Sequence, residues 1–115
     1  MMIESLYEKM LGYLNMEEEI PFKEFDQYYK ETLQELEANY TKYDQEQGLR
    51  ALFIMDNLKT NSDSRVQRKF DEAKKYKKIS QRAQIWVEAL FGHLLKSGMT
   101  DKQIRERMEV MYEEA

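Results

Sequence analysis

The sequence predicts an all-α protein, a single domain over residues 1–115 built as a bundle of five to six helices. Three observations predict it. One Pro and four Gly leave few places where the backbone must turn sharply. Apolar side chains recur at helical spacing through most of the chain. Asp44 with Gln47, Ser64 with Gln67 and Thr100 with Gln103 have the spacing of capping boxes, which open helices.

Ile3, Leu6, Tyr7, Met10, Leu11 and Leu14 form an apolar stripe with Glu4, Glu8 and Lys9 outside it, which predicts a first helix ended by Asn15 and Glu17–Glu19. Pro21 suits the first position of a second helix, where its missing N–H costs nothing and nearby carboxylates favour the dipole. That helix is predicted to run to about Tyr43. Phe22, Phe25, Tyr29, Leu33, Leu36, Tyr40 and Tyr43 fall on one side at nearly heptad spacing, with Glu24, Glu31 and Glu35 opposite. At about 1.5 Å per residue it would be about 33 Å long, and so long a stripe needs a long partner.

The third helix has the centre LRALFIMDNL, apolar on nearly every side and therefore expected to be the buried one. LFIM alone would also suit a strand; Ala51, Leu52, Met55 and the cap at Asp44 decide for helix. TNSDS, Thr60–Ser64, reads as a loop made of residues that bond their own backbone, with Ser64 capping the next helix. There the apolar positions change face. Val66, Phe70 and Ala73 form one stripe, while Tyr76, Ile79, Ala83, Trp86 and Leu90 form another rotated by about 100°. A break near Lys78–Ser80 is expected, with one long helix that changes partners as the alternative. IWVEALFGHLLKSG is a second core helix, ended by Gly98 as the left-handed residue past its C-terminus. The last helix, capped by Thr100, buries Ile104, Met108 and Met111.

Hydrophobic residues make up 42% and charged ones 35%, a balance that suits a globular fold and argues against disorder. Eight Tyr, five Phe and eight Met predict an aromatic, adaptable core. The absence of Cys excludes disulfides, thiolate metal sites and cysteine nucleophiles, and a reducing cytoplasm is the expected compartment. The first residues lack the basic start and unbroken apolar run of a signal peptide, and no window approaches the ~18 apolar residues of a membrane span. The composition suits a small bacterial or phage protein.

Catalytic apparatus is thin. His93 is the only His, so sites needing two imidazoles cannot form within one chain. Glu88, five residues earlier, falls on a different helix face. The isolated glycines write neither a phosphate-cradling loop nor a dinucleotide fingerprint. DNLKTNSDSRVQ lacks the central Gly and closing Glu of a calcium loop. LLKSGMTDKQIRERM resembles the first half of a helix-turn-helix, but no recognition helix is expected in the few residues left before Ala115. No enzyme activity, cofactor or metal is expected.

Charge is the more informative signal. Residues 1–63 carry 14 acidic and 6 basic side chains, a net −8; residues 65–82 carry 8 basic and 2 acidic, a net +6; residues 83–115 carry 4 basic and 6 acidic, a net −2. On a continuous helix Arg68, Lys74, Lys75, Lys78 and Arg82 share one face. Solvent, the acidic face of the second helix (in the same chain or a dimer mate) or phosphates would offset it, with Tyr76 available to stack on a base. Two functions follow as expectations. The first is a non-enzymatic regulator or adaptor that binds a protein partner or itself, with the stripe from Phe22 to Tyr43 as the seam of a homodimer. The alternative is a nucleic-acid-binding accessory factor using the basic face of residues 65–82.

Overall fold

The run LRALFIMDNL lies at the centre of the molecule because four other helices surround it. The structure, a computed structural model, describes residues 2–115, and Phe70 by its backbone alone. Five α-helices follow in order: α1 (Ile3–Leu14), α2 (Phe22–Asn39), α3 (Gln45–Arg68), α4 (Ala73–Lys96) and α5 (Asp101–Glu114), with 3₁₀ turns at Tyr40–Lys42 and Phe70–Glu72. The fold is an all-α bundle around one hydrophobic core.

α3 and α4 form an antiparallel hairpin, each about 36 Å long at 24 residues. Gln45, at the start of α3, donates to the Ser97 carbonyl just past the end of α4, and Ser80 donates to Asp63 towards the other end. At Gly48 the two helices approach so closely that a Cβ would lie 2.9 Å from Leu94 Cδ2. Around α3, α2 meets α4 through Phe25 and Tyr76, and α1 meets α2 through the Tyr28 hydroxyl, which donates to the Leu6 carbonyl at 2.6 Å. α1 and α5 converge over Phe53, whose ring contacts Tyr7 on one side and Tyr112 on the other. Neighbours on every side explain why α3 is apolar all round.

The capping boxes at Asp44–Gln47 and Thr100–Gln103 are both formed, each with reciprocal backbone bonds. Gly98 has φ +106°, and the Met99 N–H bonds back to the Leu94 carbonyl while that of Gly98 bonds Leu95, a Schellman closure. Pro21 sits one position earlier than expected, as the N-cap of α2 with ψ 162°. α2 ends at Asn39 and tightens into the 3₁₀ turn, so Tyr43 lies beyond it.

Two expectations are overturned. TNSDS is no loop: α3 runs through it to Arg68, and Ser64 opens nothing. Asn61 bonds the Asn57 carbonyl four residues back, Asp63 pairs with Lys59 one turn earlier and with Ser80 of α4, and Ser62 is wholly buried. Residues that favour loops are held helical by the neighbours on which they pack. The break falls at Lys69–Glu72, not at Lys78–Ser80, and α4 is continuous from Ala73 to Lys96. Ser80 caps no helix, because its hydroxyl bonds Asp63. The two apolar stripes change face because they straddle this break; the side chain of Phe70 lies outside the described residues. Charge marked the junction: Arg65, Arg68 and Lys69 suit a helix C-terminus, and Asp71 and Glu72 suit the start of the next.

Candidate interaction surfaces

The stripe expected as a dimer seam is intramolecular. Phe25, Tyr29, Leu36 and Tyr43 are buried within the chain, and Phe22, Leu33 and Tyr40 are half-buried against the same core. Phe22 and Phe25 edge onto Tyr76 of α4, and Tyr40 edges onto Trp86. The long partner the stripe needed is α4 of the same chain. His93 is likewise engaged in the fold, its Nε2–H donating to the Tyr43 carbonyl at 2.9 Å. It pins the end of the second helical segment to α4.

The basic residues divide at the break. Arg65 and Arg68 close α3, and with Lys69 they converge on Glu19 of the α1–α2 connector. Arg65 is 5% exposed: its Nη1 donates to the Ile20 carbonyl and to the Tyr76 hydroxyl, and its guanidinium lies 4.5 Å from the Phe25 ring centre. Tyr76 is itself only 1% exposed, which removes it as a base-stacking group. Arg68 also leaves the predicted face, since it belongs to a different helix and is paired.

Lys74, Lys75, Lys78 and Arg82 remain, all exposed on the first turns of α4. Among the described residues, no carboxylate lies within salt-bridge distance of any of them, nor of the adjacent Lys77. Of the expected acidic face, Glu24 lies by the Tyr13 hydroxyl, Glu31 takes Lys9 and Glu35 takes the Tyr43 hydroxyl, while Asp26 takes Lys30 although it lines the same cleft as Lys75, Lys78 and Arg82. Lys75, Lys78 and Arg82 instead edge a cleft of about 330 Å³ between α2 and α4, with the Lys75 ammonium 5.2 Å from the Phe22 ring centre.

A second cleft, of about 390 Å³, opens between α4 and α5 over α3. Leu52 and Ile104 form its buried floor, and Val87, Phe91 and Met108 its half-buried walls. Asp56, Glu109 and the Tyr112 hydroxyl stand at the rim, Tyr112 donating to Asp56 and accepting from Asn57. Burial, with the Asp56 hydrogen bond, pushes the Tyr112 phenol well above its usual pKa. Arg105 crosses the rim over the Phe91 ring at 5.6 Å, tethered to Asp101. Sequence reasoning missed this cleft. Its trace was the breadth of IWVEALF, whose Val87 and Phe91 exceed what one α3-facing stripe requires.

Glu19 governs how the connector is anchored. The hydrogen bond from Arg68, with the charges of Arg65 and Lys69, holds its carboxyl below the usual range. A depressed folded pKa stabilises above the unfolded value of about 4.3 and is lost as pH falls through the folded one. Because the carboxylate is 39% exposed, the effect is modest, within about 1 kcal/mol. Glu19→Gln is therefore expected to lower the urea midpoint at neutral pH and to flatten its decline below about pH 5. An unchanged acid profile in the variant would assign that decline to other carboxylates. Comparison with protein-family models, curated proteins and solved structures finds no match to this chain.

Proposed function

We propose that this protein is a small, non-enzymatic helical adaptor or regulator that binds a protein partner by seating an amphipathic helix in the α3–α4–α5 cleft. One observation carries the reading. Val87, Phe91 and Met108 stand half-buried together around a floor of Leu52 and Ile104, so that apolar side chains from α3, α4 and α5 line one open trough. Helix-in-groove recognition needs such an apolar trough between helices, flanked by polar groups that set register. Asp56 and Glu109 on the rim favour Lys or Arg beside the partner helix's apolar anchors, and Arg105 favours an acidic residue facing it. Among the described residues no helix is long and apolar enough to cross a membrane, so the apolar walls are not explained by a span.

The test is capture of partners from the producing cells by the tagged full chain, with and without nuclease, beside two double variants. Val87→Glu with Met108→Glu places charge in the trough at positions where Glu suits a helix. Lys74→Glu with Lys78→Glu leaves the trough intact. Capture of a partner that survives nuclease, is lost in the first variant and persists in the second is the expected result. Circular dichroism confirms that both variants keep native helicity. Equal capture by the trough variant and the parent chain rules the cleft out.

A further inference from the structure

The unpaired cations of α4 form a surface separate from the cleft. We propose that Lys74, Lys75, Lys78 and Arg82 bind the phosphate backbone of double-stranded nucleic acid without reading its sequence. The continuity of α4 makes the row possible. A break at Lys78–Ser80 would split it, whereas the actual break, at Lys69–Glu72, leaves all four on one rigid helix. Nine residues of helix span about 12 Å, and phosphates on one strand recur about every 3.4 Å of duplex axis, so the row faces about three or four of them.

Like charges at i,i+4 oppose the helix unless something offsets them. Intramolecular carboxylates form no ion pair with the row among the described residues: Arg65, Arg68 and Lys69 use Glu19, Asp26 lines the same cleft as Lys75, Lys78 and Arg82 but pairs with Lys30, and Asp71 and Glu72 adjoin the row without pairing to it. An external polyanion supplies the missing charge. Single-strand sites add aromatic platforms to such rows. Tyr76, the aromatic inside the basic run, is buried and held by Arg65, Trp86 lies against Tyr40, and Phe22 lies under Lys75. A membrane-surface helix needs an apolar face beside its cations. The outward side of this stretch is Lys74, Lys78, Gln81 and Arg82. The row continues into one exposed apolar residue, Ile85, which by itself is no apolar face, so duplex backbone is the polyanion that fits this straight row of cations. With a net charge of −4 the rest of the surface repels nucleic acid, so contact is confined to this face and binding falls in the non-specific range of about 10⁻⁴ to 10⁻⁶ M.

The experiment is fluorescence anisotropy of the full chain with two labelled duplexes of unrelated sequence, one of their single strands, and phosphatidylserine vesicles as a competitor. Four phosphate contacts give a slope of log K on log salt of about −3.6, a loss of roughly 100-fold between about 50 and 200 mM, equal for both duplexes. Lys74→Glu with Lys78→Glu is expected to abolish binding at the lower salt. Lys42→Glu with Lys102→Glu makes the same change in net charge at the opposite end of the hairpin and is expected to retain affinity within about threefold. Any one of four results overturns the proposal: no duplex binding at the lower salt, equal losses in the two double variants, tighter binding to the single strand, or competition by vesicles that exceeds competition by unlabelled duplex.

Discussion

Arg65→Ala is expected to destabilise the protein by about 3 kcal/mol or more, because it empties a site where one side chain ties three segments together. The guanidinium bonds the connector at Ile20 and α4 at Tyr76, and stacks on the Phe25 ring of α2. Truncation removes a buried stem, two charge-assisted hydrogen bonds and a cation–π contact that alone contributes about 0.5–2 kcal/mol. The Ile20 carbonyl and the Tyr76 hydroxyl lose their donor together. Arg65→Met separates the contributions: it keeps most of the packing volume, and apolar replacement of a buried charge is often tolerated. Urea denaturation is expected to place Arg65→Met between the parent and Arg65→Ala. Equal losses in the two variants would mean that hydrogen bonding, not stem packing, dominates. Tyr76 sits at the root of the basic face, so the same variant is expected to weaken duplex binding without altering any residue of that face.

Phe53→Ala is expected to cost about 3–5 kcal/mol, a large part of the roughly 5–15 kcal/mol by which such domains are stable. Phe53 is fully buried at the point where α1 and α5 meet over α3, with the Tyr7 ring centre 5.4 Å away and that of Tyr112 4.7 Å away. Removing the ring leaves a cavity and deprives both outer helices of a shared contact. Phe53→Leu, which keeps most of the volume, is expected to lose about 1–1.5 kcal/mol. A loss below about 1 kcal/mol for the alanine variant would show that the helices close over the gap. Because Tyr112 stands at the rim of the α3–α4–α5 cleft, loosening α5 also blurs the cleft. Partner capture should therefore fall further in Phe53→Ala than helicity does.

Much of this was legible in the chain. The stripes of Ile3 to Leu14 and Phe22 to Tyr43, the all-round apolar run of the third helix, the caps at Asp44 and Thr100 and the left-handed Gly98 are local signals, each set by a period or by one residue's backbone preference. What failed were readings that depend on neighbours. TNSDS has loop chemistry, yet Asn61 finds its acceptor one turn back and Ser62 is packed out of solvent. Tyr76 sits in the most basic run of the chain, yet it points inward, because Arg65 from another helix meets its hydroxyl. Sequence alone shows that a side chain is aromatic; it does not show which of its faces another helix will cover.

The same division holds for the candidate surfaces. The amino-acid sequence by itself determined that the fold is helical, that the third helix is central and that charge is segregated, since periodicity, capping and net charge are properties of the chain. Tertiary structure alone decided that the α2 stripe is spent on α4, that four cations have no carboxylate partner among the described residues, and that Val87, Phe91 and Met108 border a cleft. The reason is physical. Whether an apolar stripe or a charged row is satisfied depends on what packs against it, and that is settled only when helices distant in sequence come within a few ångströms of each other.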